Sequence, residues 1–481
     1  MNLDELNSKS CYEALKSHDK RFDGRFFVAV KSTRIYCRNV CRVKLPKEIN
    51  CTFYTNAAQA EKAGYRPCLR CRPELAPGSS QADSVSKLAG EIVARLEELD
   101  GETSSSSLEE LADEFKISSR HLRRVIEQEY GVSPVELLQT KRLLLAKRLL
   151  TDTNMNITQI AMASGFNSIR RFNALFQERY RLKPTELRKE GQLKVQDRLE
   201  CLLRYQVPYD YLSILKFLKM RCFKGIEHVD LESGIYIRTL RIGEYKGWIQ
   251  VENQFEDALL KVTMSSSLAP VMPKVISRVK RLFDVSASIN DIETKLGKLV
   301  KIKGLRVPGA FDGFEMVTRV ILGQQVSVSA ATTLSGRLAN AFSEKFDTPF
   351  KELTHLPLNA GTISGASLDD ICKLGIVSAR ATAIKQIAIL VSEQKLSLEP
   401  SGDIDQILAQ LKDIKGIGDW TAQVIAMRAL AHPDAFPAGD LGIKKALGLT
   451  NNKELDIISN EWRPWRAYAC MHLWSGLEEK K

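Results

Sequence analysis

Cys37 and Cys41 form a C-x3-C pair, and Cys68 and Cys71 form a C-x2-C pair after a gap of 26 residues. Each short loop places two thiolates on one side of an ion, so two such pairs suit tetrahedral Zn(II). Far along the chain, Leu411 to Ala426 reads as a helix, a tight turn Gly416-Ile417-Gly418 and a second helix. Glycines there let the N–H groups opening the second helix come close to a phosphate. Asp440 lies 22 residues beyond Gly418, after Pro437 and Gly439 and at the mouth of another helix. A carboxylate in that setting can stabilise a nearby positive charge, and it can also cap the helix.

The elements that must position these groups belong to a chain of 481 residues, long enough for about three domains. An apolar share of 44% beside 27% charged residues excludes wholesale disorder. No apolar run is long enough to span a bilayer, and the acidic first residues contain no signal-peptide core. The chain therefore reads as cytoplasmic, with its cysteines reduced. Cys11, Cys51, Cys201, Cys222, Cys372 and Cys470 have no close cysteine neighbours and read as buried hydrophobes. The formal charge of +12 is concentrated: Lys20 to Arg72 holds 13 Lys/Arg against 3 Asp/Glu, whereas Leu108 to Glu190 holds 15 against 11. A phosphate-binding surface is expected first around the cysteines.

Pro73–Ser84 and Asp100–Ser107 read as linkers, joined by a helix carrying Leu88, Ile92, Val93, Leu96 and Leu99. A repeat follows. Leu108-Glu-Glu-Leu-Ala leading to Tyr130-Gly-Val-Ser-Pro returns as Ile157-Thr-Gln-Ile-Ala leading to Tyr180-Arg-Leu-Lys-Pro, with one extra residue expected at the second turn. Units of this size predict two helix-turn-helix modules joined by a helix through Lys141 to Leu150. β-like runs lie within Val207–Val262, and from Leu268 onward the pattern is helical.

The words around the cysteines, Phe27-Val-Ala-Val-Lys-Ser-Thr-Arg-Ile-Tyr-Cys37-Arg-Asn-Val-Cys41 and Gly64-Tyr-Arg-Pro-Cys68-Leu-Arg-Cys71, closely resemble the sensor domain of the Ada adaptive-response regulators. The resemblance implies that Cys37 accepts a methyl group from a DNA methylphosphotriester, while Cys41, Cys68 and Cys71 complete a zinc site. Methylation would turn one thiolate into a neutral thioether, taking the site from −2 to −1 and favouring DNA. Ile157 to Tyr180 resembles the second unit of AraC-type activators, with Gly165 at the turn, Ser168 as cap and Phe172 and Phe176 as core. Arg170 and Asn173 then face DNA beside Ile169; in the first unit Leu122, Val125 and Ile126 take the core and leave Arg120, Arg123 and Arg124 outside.

The hairpin with Asp440 resembles the helix-hairpin-helix DNA glycosylases. Pro208-Tyr-Asp-Tyr, Arg319-Val-Ile-Leu-Gly-Gln-Gln-Val-Ser-Val and Trp462-Arg-Pro-Trp-Arg-Ala-Tyr-Ala-Cys-Met-His-Leu-Trp474 narrow the likeness to the AlkA-type, DNA-3-methyladenine glycosylase II, over about Tyr205–Leu477. The resemblance makes Asp440 the catalytic aspartate and Trp420, Trp474 and Phe217 an aromatic base pocket. Gly416 and Gly418 would bind the DNA backbone, and the carbonyls of Lys412, Ile414 and Ile417 would hold a monovalent cation. Alkylated purines are cationic, so aromatic faces suit them. Several positions depart from the pattern: Gln325 stands where the family wedges DNA with Leu, and Val424 and Leu441 stand where Tyr can occur. Trp420 stands where lyase-type relatives carry Lys, so no Schiff base is expected. Neither an iron–sulfur motif nor the Pro-Cys-His-Arg motif of alkylguanine transferases is present.

These readings predict a multidomain, mainly α chain: a small α/β zinc domain at 1–77 and an AraC-type double helix-turn-helix at 84–190. A small α/β subdomain follows at 200–290, and a helix-hairpin-helix glycosylase domain at 291–481. The function implied is alkylation repair joined to transcription activation, by a monomer that meets damaged DNA, promoter sites and RNA polymerase in the bacterial nucleoid. Two rivals use the same motifs: a glycosylase merely anchored by its N-terminal half, and a regulator whose glycosylase half is inactive.

Overall fold

The alternation in Phe26-Phe27-Val28-Ala29 decides the first element. Phe26 and Val28 pack with Cys11, Ala14 and Leu15 of the helix Ser8–Lys16 on one face, while Phe27 and Ala29 pack with Tyr36, Ala60 and Tyr65 on the other. In the computed structural model this segment is β1 (Phe27–Val30), which pairs antiparallel with β2 (Ile35–Arg38) and with β3 (Cys51–Tyr54). The short β4 (Arg66–Pro67) runs parallel to β2, giving the order β3-β1-β2-β4. The structure describes residues 8–19, 22–76, 87–98, 105–152, 155–188, 198–400, 404–449 and 451–478. The chain divides into two units, Met1–Gln206 with Glu256–Ser277, and Val207–Phe255 with Arg278–Lys481.

Within the first unit the expected bridging helix is present as Lys87–Glu98. Most of the two expected linkers lies outside the described residues, but Ser105–Ser107 belongs to the helix Ser105–Glu114 rather than to a linker. Serine is at home in a first helical turn, and Leu108 and Leu111 bury the helix at once. Helix Ser119–Tyr130 follows after four residues, whereas the second copy, Ile157–Ala163 and Ile169–Tyr180, has five between its helices. The extra residue is therefore in the turn. Each turn includes a left-handed residue, Lys116 (φ 54°) in the first and Gly165 (φ 80°) in the second. The helix Pro134–Asp152 joins the copies. Strands Arg198–Arg204 and Leu259–Ser265, the first of which the sequence pattern missed, pair antiparallel in this unit.

In the second unit Glu227–Asp230, Ile235–Ile242 and Tyr245–Gln254 form an antiparallel meander beside the helix Tyr211–Lys219. Every residue of the helix Gly313–Leu322 is buried, and this central rod packs against the hairpin's second helix, Asp419–Arg428. The helices Leu441–Leu447 and Arg466–Glu478 pack on each other.

Candidate functional sites

The parallel pairing of β2 with β4 assembles the cysteine cluster. Cys37 lies within β2, Cys41 follows a turn closed by its own N–H to the Arg38 carbonyl (3.1 Å), and the Cys68 N–H donates to the Tyr36 carbonyl (2.9 Å) just past β4. The four sulfurs lie within 4.8 Å of one another. Thiolates 2.3 Å from a tetrahedral zinc are about 3.8 Å apart, so the cage fits that ion. Cys37, Cys41 and Cys68 are buried and Cys71 is half-buried, so exposure does not single out Cys37. The Cys71 sulfur accepts the Arg38 N–H (3.4 Å) and its carbonyl accepts Arg38 Nη1 (3.1 Å). Arg38 is in turn fixed by the buried Asp23, whose Oδ1 accepts its Nε at 2.7 Å.

On the recognition helices the burial follows the expected faces. Leu122, Ile126, Phe172 and Phe176 are fully buried, while Arg120, Arg123, Arg124, Arg170 and Asn173 are exposed. Ser118 and Ser168 cap these helices by accepting the N–H groups of His121 and Arg171. Arg124 already meets His121 Nδ1 at 2.8 Å.

In the second unit three predicted residues converge. Asp440 caps the helix Leu441–Leu447 by accepting the Ile443 N–H on Oδ1 (2.9 Å). It also accepts Trp420 Nε1 on Oδ2 (2.9 Å) and Trp474 Nε1 on Oδ1 (3.1 Å). The capping reading of Asp440 is thus met, by a carboxylate that also holds two indole N–H groups. Two indole donors fix the carboxylate plane, and hydrogen bonds to an ionised group are each worth about 1.5–3 kcal/mol. The loop before it is tied down as well. Asp440 N–H donates to the Pro437 carbonyl (2.9 Å), Phe436 N–H to Gln423 Oε1 (3.0 Å), and Arg466 Nε to Asp434 Oδ1 (2.7 Å). The last of these fastens the loop to the helix that carries Trp474. At Gly439 a Cβ would meet only Trp420 Cβ, at 4.0 Å, so space does not demand glycine there.

Phe217 lies on the helix Tyr211–Lys219. Its ring lies under the guanidiniums of Arg221 (3.7 Å) and Arg428 (4.7 Å), and no ring contact joins it to either tryptophan among the described residues. Burial lowers the Arg428 pKa to about 9, and its donors go to the carbonyls of Pro308 and Gly309. Val424 is buried and Leu441 is 80% exposed at the mouth.

At the hairpin Gly416 has φ +97°, a conformation that favours glycine, whereas Gly418 is extended and faces open space. The helix that Gly418 opens has no side-chain cap, which leaves its first N–H groups available to an external acceptor. Ile414 is buried, and its carbonyl accepts the Ile417 N–H (3.0 Å); Ile417 is buried too, while Lys412 Nζ reaches Asp419 across the turn at 3.4 Å. The sequence reading missed Gln324. Its Nε2 donates to the Gly416 carbonyl and to Thr421 Oγ1, both at 2.9 Å, and its carbonyl accepts Arg380. It thereby ties the hairpin to the loop that presents Gln325, exposed and left-handed at φ 53°. Its sequence signal is its place in Arg319-Val-Ile-Leu-Gly-Gln-Gln-Val-Ser-Val, where only Gln325 is given a role. Gln324→Ala is expected to cost about 1–2 kcal/mol, read as a fall of several degrees in Tm by calorimetry.

A cysteine cage beside two helix-turn-helix units, and a helix-hairpin-helix with a tryptophan-bound aspartate, define a class of DNA-directed proteins. Family models agree segment by segment: the metal-binding domain of Ada over residues 10–74 and a helix-turn-helix domain over 111–190. The AlkA N-terminal domain matches 200–312, and the HhH-GPD superfamily of base excision DNA repair proteins matches 318–455. The chain is 33% identical to the probable bifunctional transcriptional activator/DNA repair enzyme AlkA of Mycobacterium tuberculosis, over 97% of this chain and 96% of that protein. It is similarly 33% identical to DNA-3-methyladenine glycosylase 2 of Escherichia coli, over 56% of this chain and 95% of that one. The bifunctional transcriptional activator/DNA repair enzyme AdaA of Bacillus subtilis is 31% identical over 40% of this chain and 87% of its own length. The chain belongs to the family of bifunctional transcriptional activator/DNA repair enzymes of the AlkA type.

Proposed function

We propose that this protein repairs and senses DNA alkylation: its C-terminal half excises alkylated purines such as 3-methyladenine, and its N-terminal half takes methyl groups from phosphotriesters and activates transcription. The carrying observation is Asp440, a single carboxylate held by the N–H groups of two tryptophans at a helix mouth. Departure of an alkylated purine leaves a neutral base and an oxocarbenium-like sugar, so little acid catalysis is needed at the base. A fixed negative charge near the sugar and an acceptor for the attacking water's proton meet the requirement, and Asp440 supplies both. Trp420 and Trp474 offer faces to the flipped cationic base. Gly416–Gly418 anchors the backbone, and Gln325 fills the gap left by the base. Their carbonyl neighbours, those of Lys412, Ile414 and Ile417, are the candidate holders of a monovalent cation.

In the N-terminal half, zinc bound by Cys37, Cys41, Cys68 and Cys71 would keep the sulfurs as thiolates at neutral pH. The Cys37 sulfur attacks the methyl carbon of the neutral triester, the carbon–oxygen bond breaks, and the phosphate leaves as an anionic diester. Loss of one negative charge then strengthens binding of the sensor and of Arg120, Arg123, Arg124, Arg170 and Asn173 to a promoter, where RNA polymerase is the expected partner of a monomer acting in the nucleoid. Among the described residues no helix is long and apolar enough to cross a membrane.

Two measurements on one sample test the proposal. After incubation with methylated DNA, chromatography is expected to show free 3-methyladenine, and peptide mass spectrometry is expected to find methyl on Cys37 alone. Methyl on Cys68 or Cys71 with Cys37 untouched overturns the acceptor assignment.

A further inference from the structure

Glu61 is a buried acid that the chemistry above does not use. It lies on the helix Ala57–Lys62 of the sensor and is 3% exposed. Three hydroxyls from three other elements fill its carboxylate. Tyr36, the residue before Cys37 on β2, donates to Oε1 at 3.0 Å. Tyr180, the last residue of the second recognition helix, donates to the same oxygen at 3.3 Å. Thr140, from the helix that joins the two helix-turn-helix units, donates to Oε2 at 3.1 Å. All three donors are buried, and burial pushes the Glu61 carboxyl up to about 7 against the pull of those hydroxyls.

The same short helix also holds the first recognition helix. Asn56 Nδ2 and Gln59 Nε2 both donate to the Tyr130 carbonyl, at 3.0 and 2.9 Å, and so satisfy the end of the helix Ser119–Tyr130. Beyond Cys71, the buried Glu74 pairs with the buried Lys147 of the joining helix at 2.5 Å. The two recognition helices therefore both end on one sensor helix, and the hydroxyl of Cys37's neighbour shares an oxygen with the end of the second. A buried acid satisfied only by distant partners is costly to break and tolerates one register, which is the property a rigid coupling needs.

We propose that Glu61 is a positioning residue that locks the methyl-acceptor strand and both recognition helices into one DNA-reading body. Through it, the change at Cys37 alters the affinity of the whole array rather than that of the sensor alone. The inference rests on the proposed sensor function and adds how the signal reaches the reading helices.

The test uses the full chain and a duplex selected from a random pool by the methylated protein. Its readouts are the ratio of Kd before and after Cys37 methylation, the rate of methyl uptake from a methylphosphotriester oligonucleotide, and zinc content. Glu61→Leu is expected to keep zinc and methyl uptake while the Kd ratio falls about fivefold or more. Glu61→Gln, which keeps the shape and a carbonyl acceptor, is expected to restore most of the ratio. Tyr180→Phe removes a single hydroxyl and serves should Glu61→Leu fail to fold; it is expected to lower the ratio in the same direction, and non-additively with Tyr36→Phe. An unchanged ratio in Tyr180→Phe and in folded Glu61→Leu overturns the coupling while leaving the sensor function intact. A wild-type ratio of one overturns the sensor function, and the coupling with it.

Discussion

Asp440→Asn is expected to lower release of 3-methyladenine from methylated DNA by ~100-fold or more while duplex binding survives. The substitution keeps the side-chain volume and removes the charge that opposes the developing oxocarbenium. The structure adds a second cost. Both carboxylate oxygens accept indole N–H groups, and Oδ1 also accepts the Ile443 N–H. An amide can offer its oxygen to only one side, so its NH2 must face an indole donor, leaving one tryptophan unpaired at about 1–3 kcal/mol. If the oxygen remains on the Ile443 and Trp474 side, Trp420 is the ring that loses its anchor. Single-turnover kinetics on a methylated duplex measure the first effect, and Trp fluorescence follows the second. Release at the wild-type rate would leave Asp440 as a helix cap only. Binding should persist because Gln324 holds the hairpin through the Gly416 carbonyl and Thr421, bonds in which Asp440 takes no part.

What could be read in the sequence follows from how local the determining interactions are. The cysteine pairs, the hairpin glycines and the Phe172/Phe176 face are short-range patterns, and each has its expected local geometry. The extra residue in the repeat was legible for the same reason. Glu61 was not: in Ala57-Ala-Gln-Ala-Glu-Lys it reads as a solvated helix face, and only partners 25, 79 and 119 residues away make it a buried node. Gln324 likewise depends on Gly416, 92 residues on. Phe217 has a contact of the same kind: its ring meets Arg221, one helical turn on, which is local, and also the buried Arg428 of a distant helix, which is not. The Trp420–Asp440–Trp474 arrangement had all its members named in advance, but not the indole hydrogen bonds that join them.

Cys37→Ala is expected to abolish methyl uptake and, at the same time, to bind promoter DNA as the methylated wild type does. The charge count explains the pairing of a loss with a gain. Four thiolates around a dication total −2, and methylation of Cys37 leaves three thiolates and a neutral thioether, a total of −1. Deleting the Cys37 sulfur also leaves three thiolates and −1, without any damage having been met. Because this charge sits in the segment holding 13 Lys/Arg against 3 Asp/Glu, its removal at a partly desolvated phosphate contact is worth on the order of 1–3 kcal/mol, or ~10-fold in affinity. The gain should shrink with added salt, as a charge effect does. Cys41, Cys68 and Cys71 remain to hold the metal, two of them buried, so zinc content measured on the same sample separates a charge effect from loss of the site. Fluorescence anisotropy across a salt series, with unmethylated and methylated wild type alongside, gives the comparison. A zinc-loaded Cys37→Ala protein that binds like the unmethylated wild type would show that the switch depends on the methyl group's shape rather than on charge.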